Sequence, residues 1–214
     1  LFVLTIGGML LCGLTILTYF FVPLLLEAKI PLDSYWTAAF LVSYRAILSV
    51  FTLPFIGNLE KRKVHFVSGA FLILGLLSLS ISTYLIHEVD ILENYPMVGW
   101  IPIISILFIY TSEALGWVSI IIAFQGELLP VKARSMGLGV LGFIDSLISF
   151  GFVKSIPKML DILGIHGIFM MCACFAISTM IFSFFFMPET FGLTLEEIED
   201  IYRQEKFVSE EKKH

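Results

Sequence analysis

Met187-Pro-Glu-Thr-Phe-Gly-Leu-Thr-Leu-Glu-Glu-Ile-Glu-Asp-Ile-Tyr202 is the stretch in which this chain changes solvent. A long apolar run precedes it, and Pro188 cannot continue a helix. Thr194 and Glu197 have the spacing of a capping box, in which hydroxyl and carboxylate satisfy the first free N–H groups of a new helix. Leu195, Ile198, Ile201 and Tyr202 then share one face at helical spacing. Glu196, Glu197, Glu199 and Asp200 crowd the N-terminal half, where the helix dipole favours anions, and Arg203 and Lys206 follow. Two readings fit: a solvated tail, or an amphipathic helix docked beneath a membrane bundle.

Working outward, the rest of the chain belongs to the bilayer. Of 214 residues, 58% are hydrophobic and only 14% charged, with mean hydropathy +0.95. Soluble domains are nearer half apolar and a quarter charged. The excess is gathered into runs of about 20 residues, the length that crosses a hydrocarbon core. The chain is therefore read as an all-α polytopic membrane protein. Six transmembrane helices are expected, over Leu1–Leu26, Ser34–Gly57, Val64–Ile86, Ile101–Phe124, Met136–Ile156 and Ile165–Met187. Residues 1–187 form the bundle and residues 188–214 a tail carrying the short amphipathic helix. The chain opens on Leu1, already inside an apolar run and without a basic leader, so it is expected to begin within a larger protein or an incomplete gene.

Loop charge gives the sidedness. Lys61, Arg62, Lys63, Lys132, Arg134, Arg203, Lys206, Lys212 and Lys213 fall on one side of the expected spans. The other side carries Lys29, Lys154 and Lys158, and its loop His87–Trp100 is acidic. By the positive-inside rule, loops 58–63 and 125–135 and the tail are cytoplasmic. Tyr35, Trp36, Tyr95 and Trp100 lie near span ends, as an aromatic belt requires. His65, His87 and His166 stand at helix ends, where an interfacial position accounts for them.

Three ionisable residues fall within the spans: Arg45, Glu113 and Asp145. Each costs a few kcal/mol at the centre of the bilayer, so each is expected to face protein or water. Arg45 has two candidate partners, Asp145 and Glu113. Around Asp145, the residues Gly139, Gly142, Ser146 and Ser149 recur every three or four positions. Close helix packing through small residues explains the glycines and serines, but a carboxylate in that stripe points to a binding or transport path.

Enzyme chemistry finds no constellation here. There is no Gly-x-Ser-x-Gly, Cys-x-x-Cys, His-Glu-x-x-His or phosphate loop. Cys12, Cys172 and Cys174 are odd in number and lie in apolar runs, which argues against a disulfide framework or a metal site. No cofactor is expected, and no basic patch with interleaved aromatics invites nucleic acid.

The motifs at the span ends resemble those of a known family, the sugar porters of the major facilitator superfamily. Pro188-Glu-Thr-Phe-Gly-Leu-Thr-Leu-Glu-Glu-Ile198 resembles its PET-x-G-x-TLEEI motif after the twelfth helix. Glu127-Leu-Leu-Pro-Val-Lys-Ala-Arg134 resembles its E-x-x-P-x-x-x-R motif after the tenth. Val153-Lys-Ser-Ile-Pro157 and Leu163-Gly-Ile-His-Gly167 are similar to further stretches of the family, whereas Asn58–Lys63 keeps only the basic end of its D-x-x-G-R-R loop. The likeness runs along the whole chain as helices seven to twelve, nearest the branch of facilitated trehalose and glucose transporters.

That resemblance implies the C-terminal half of a carrier working by alternating access, with a sugar as solute, a lipid bilayer around it and an N-terminal six-helix half as partner. Solute contacts would come from Thr15, Ile122, Asp145, Ser146 and Ser149. A cytoplasmic gate of ion pairs would use Arg62, Lys63, Glu127, Arg134 and Glu189, although ordinary topogenic charge suffices for Lys61 and Lys132. The family's sugar-contacting side chains are largely replaced. Met9-Leu-Leu-Cys-Gly-Leu-Thr15 stands where it carries Q-Q-x-S-G-x-N, Val118–Ile122 where it carries G-P-x-P-W, and Asp145-Ser146 where it carries N-W. Two other readings therefore stay open: a transport-inactive membrane sensor or interaction protein, and a proton-coupled carrier of another solute using Asp145.

Overall fold

The computed structural model describes residues 13–27, 32–56, 60–87, 96–129 and 134–186. The expected tail helix, Glu189, Cys12 and Tyr95 lie outside them. Every described element is a helix: α1 Leu14–Tyr19, α2 Phe21–Glu27, α3 Ser34–Ile56, α4 Lys61–His87, a 3-10 turn Pro96–Trp100, α5 Ile101–Ala114, α6 Trp117–Leu128 and α7 Arg134–Phe186. Three helical stretches among the described residues are long and apolar enough to cross a membrane, Lys61–His87, Met97–Ala123 and Arg134–Phe185.

Local chemistry explains the interruptions. Pro23 occupies the first turn of α2, where a missing N–H loses no intrahelical bond, but its ring would clash with the Tyr19 carbonyl if α1 ran straight on. The chain accordingly breaks at Phe20 (φ −119°, ψ 24°). Pro102 falls in the first turn of α5, which tolerates it for the same reason. Between α5 and α6 the backbone turns through Gly116 at φ 114°, a conformation that a Cβ would strain. One boundary differs from expectation. Helical backbone continues past Ile156 and Pro157 and breaks only at Gly164 (φ 66°, ψ 173°), so the expected loop between the last two spans is largely helix. Polar residues such as Lys158 and Asp161 end an apolar run without ending the i→i−4 ladder.

α4 is the centre of the packing, lying against α5 and α7. Leu72, Leu76 and Leu79 are fully buried at helical spacing and belong to one cluster with Ile106 and Ile109 of α5 and Ile168, Phe169 and Cys172 of α7. Lipid tails are as apolar as leucine, so close contact and interhelical hydrogen bonds must hold such a seam. Ser78 Oγ donates to Ser105 Oγ at 2.8 Å, and Ser80 Oγ to the His166 carbonyl at 2.8 Å. Cys172 is buried and Cys174 exposed. Tyr35, Trp36 and Trp100 point outward near the beginnings of α3 and α5, where a belt would place them.

His65, near the start of α4, is buried within the protein. Its side chain is 1% exposed, stacked on Trp117 of α6 at 4.5 Å between centroids, with Nε2 3.0 Å from Ser183 Oγ of α7. It lies near the start of α4, but the neighbouring helices bury it. Its place along one helix carried no information about the two that close over it.

Candidate functional site

A cleft of about 460 Å3 lies between α1 and the first half of α7, lined by Tyr19, Asp145, Ser146, Ser149, Phe150 and Val153. The i, i+1 and i+4 spacing brings Asp145, Ser146 and Ser149 to one side of α7. The break at Phe20 ends α1 beside them, with Tyr19 as its last residue. Ser146 Oγ donates back to the Gly142 carbonyl at 2.8 Å, which occupies its proton. Asp145 Oδ1 is buried, and among the described residues it has no hydrogen-bond partner. Around Gly139, Gly142 and Gly151 an added Cβ would meet nothing within 4 Å, so no described helix is packed against them.

Of the expected solute contacts, the cleft gathers Asp145, Ser146 and Ser149. Thr15 sits one turn before Tyr19 on α1 and does not line the cleft, and Ile122 is an exposed residue of α6 away from it. Sequence reasoning missed the aromatic walls, Tyr19 and Phe150. The signal was present: Tyr19 is four residues after Thr15, and Phe150 follows Ser149.

The structure also resolves which acid Arg45 meets. Arg45 Nη2 pairs with Glu113 Oε1, linking α3 to the last turn of α5. Its guanidinium lies 5.6 Å from the centroid of the Tyr110 ring. Tyr44 Oη and Thr111 Oγ1 are 2.9 Å apart, and Thr52 Oγ1 donates to the Ala114 carbonyl at 2.6 Å. α3 thus grips α5 at three points immediately before the Gly116 turn.

At the basic end, Arg62, Lys63 and Arg134 are the expected gate residues whose side chains are described. Arg62 Nη2 donates to the Phe184 carbonyl at 3.0 Å, satisfying an acceptor in the last turn of α7, and its guanidinium faces the Phe66 and Phe184 rings. Lys63 Nζ pairs with Glu60 at 2.8 Å, one helical turn away. Arg134 opens α7 with its Nε buried and lacking a hydrogen-bond partner among the described residues. Glu127 belongs to α6, but its side chain, like Glu189, lies outside what is described.

The comparisons agree with this architecture. A family model described as "Sugar (and other) transporter" matches residues 1–202. The facilitated trehalose transporter Tret1 of Drosophila mojavensis is 34% identical over 102 residues, covering 48% of this chain and 12% of that protein. Tret1 of Bombyx mori is 28% identical over 144 residues, 67% of this chain and 28% of that one. Tret1 of Aedes aegypti is 23% identical over 189 residues, 88% of this chain and 23% of its own. The chain thus matches no more than 28% of the length of these three relatives. Among solved structures, the proton:xylose symporter XylE of the major facilitator superfamily, bound to 6-bromo-6-deoxy-D-glucose, superposes with TM-score 0.73 at 16% identity. That superposition covers 93% of this chain and 41% of XylE, and at such identity it is a likeness of fold. With a family match over almost its whole length and the fold of a major facilitator carrier, this chain is a member of the sugar (and other) transporter family.

Proposed function

We propose that the chain is the C-terminal six-helix half of a sugar carrier that works by alternating access. The carrying observation is the polar cleft on α7, where a carboxylate and two serines face α1, and the resemblance sets Asp145 and Ser146 where the family carries N-W. Substrate sites near the midplane, between two halves of a carrier, are the common plan of such proteins. Six spans, a tail from residue 188 bearing an amphipathic helix, cytoplasmic placement of the basic loops, and residence in the plasma membrane complete the reading. An N-terminal half would cover the open face of α7 around Gly139 and Gly142. Saturable uptake of radiolabelled trehalose or glucose is expected in vesicles containing the complete protein. Absence of any solute uptake above empty vesicles would instead favour the sensor reading, which the lost glutamines, asparagine and tryptophan motivate.

The gate is proposed around Arg134, with Glu127 and Glu189 as its acids and Arg62 and Lys63 beside them. Its support is the Arg134 Nε, buried without a described partner at the start of α7, where a carboxylate from the tail or from α6 would complete it. An exposed pair contributes about 0–1 kcal/mol, so one pair shifts a two-state equilibrium about fivefold at most. Arg134→Ala is expected to raise the accessibility of a cysteine probe on the cytoplasmic side two- to fivefold and to alter the uptake rate. Unchanged accessibility together with unchanged uptake would remove Arg134 from the gate.

A further inference from the structure

We propose that the Asp145 cleft receives a protonated amine, so that the cargo is a solute bearing one positive charge, an amino sugar in the first instance. This rests on the carrier reading above and specifies what its site selects.

The walls of the cleft are built mainly to accept hydrogen bonds. An ionised carboxylate accepts only, and the Ser146 proton is engaged by the Gly142 carbonyl at 2.8 Å, leaving its lone pairs for a ligand. Ser149 and Tyr19 are the lining hydroxyls that serve either way. A sugar hydroxyl needs both a donor and an acceptor from its site. An ammonium group has three donors and no acceptor, and so matches such a wall completely. At the positions of this site the family resemblance expects asparagine and tryptophan, which donate, and the chain has Asp145 and Ser146.

Charge points the same way. Among the described residues Asp145 is the one charged residue lining the cleft, and its Oδ1 is buried there without a hydrogen-bond partner. Arg45, the cation that the sequence offered it, is paired with Glu113, and Lys154, near the same cleft, lies over the Phe150 ring. An uncompensated carboxylate in a span is unfavourable, and a cargo that brings a positive charge relieves it on binding.

The aromatic walls complete the set. Tyr19 and Phe150 line the cleft, and aromatic side chains attract ammonium groups. The chain's own Lys154 shows that Phe150 can do so, with Nζ 6.0 Å from the ring centroid. Carboxylate, hydroxyl lone pairs and aromatic side chains converge on one class of ligand.

The test compares radiolabelled glucosamine with glucose in proteoliposomes containing the complete protein, with and without an inside-negative potential. In parallel, each sugar is titrated against the thermal unfolding of the purified protein. Glucosamine is expected to be taken up with kcat/KM at least tenfold above glucose and to be accelerated by the potential. It should also raise the unfolding midpoint at concentrations where glucose does not. Asp145→Asn should lower the glucosamine-to-glucose ratio at least tenfold, whereas Asp145→Glu should keep the preference. If the asparagine variant does not fold, the wild-type preference and the glutamate variant decide. Uptake of glucose with no preference for the amine overturns the inference and leaves the carrier reading standing. Asp145-dependent stabilisation by glucosamine without uptake of either sugar supports the site and removes the carrier reading. No preference in either assay overturns both.

Discussion

Arg45→Ala is expected to destabilise the protein by about 2–3 kcal/mol, the largest loss from removing any single polar side chain described here. The variant strands Glu113 in the last turn of α5 without its cation. A lone charge at the centre of a membrane helix costs about 3 kcal/mol on insertion scales. Breaking a buried ion pair in a soluble protein costs about 3–5 kcal/mol. Arg45 is 36% exposed and Glu113 17%, so water relieves part of the penalty and the lower end applies. The guanidinium contact with Tyr110 is lost as well. Removing both charges should behave differently: Arg45→Met with Glu113→Gln is expected to recover most of the loss, because neither side chain is then left with an unpaired charge. Thermal unfolding of the single and double variants in one detergent measures this. A single variant that melts with the wild type, or a double variant no better than the single, would sink the assignment. Because Thr52 also binds the Ala114 carbonyl, the pair holds α3 against α5 right beside the Gly116 turn.

Gly75→Ala is expected to cost about 1–2 kcal/mol net, although alanine is the better helix former by about 1 kcal/mol. A Cβ at this position would stand 2.7 Å from Ile109 Cγ1, 2.9 Å from the Ser105 carbonyl oxygen and 3.1 Å from the Ile109 nitrogen. Two of those three atoms are backbone of α5, which cannot swing aside as a flexible side chain does. The methyl must therefore push α4 and α5 apart. That opens the seam of Leu72, Leu76, Ile106 and Ile109 and the Ser78–Ser105 hydrogen bond across it. Overpacking of this kind costs about 1–3 kcal/mol, and contact with backbone atoms puts it at the upper end; the propensity gain of about 1 kcal/mol is subtracted from it. Because the clash lies within this chain, it holds whatever else packs around the bundle. Unfolding measured by the accessibility of buried Cys172 to a thiol reagent reads the effect directly. A Gly75→Ala protein as stable as wild type would show that the helices approach less closely than described. Gly139→Ala is the counterpart, meeting nothing within 4 Å of this chain. A penalty there would report another helix against that face.

These two glycines mark the limit of what a linear reading reaches. Both stand in apolar helical runs beside small and hydroxylated residues, and the sequence around them looks much the same. Only the position of a second helix separates a glycine that permits close contact from one on an open face. Arg45 is a similar case. Its need for a partner follows from the bilayer, but both Asp145 and Glu113 qualified, and the choice depends on which helix α3 lies against. His65 stands near an end of α4, and its burial by Trp117 and Ser183 comes from other helices.

What the sequence determined by itself is what the solvent dictates. Runs of bilayer length must be helical, and charges within them must face protein or water. The motif residues placed the family, and the small polar stripe on α7 located Asp145, Ser146 and Ser149. Tertiary structure decided the rest. It chose Glu113 for Arg45, set Tyr19 and Phe150 as the walls around Asp145, left Thr15 and Ile122 outside the cleft, and carried α7 past Pro157 to Gly164. Periodicity and hydropathy are properties of one helix in its solvent, whereas partnership is a property of two helices in contact. The interhelical distances that decide partnership are set by side chains far apart in the chain.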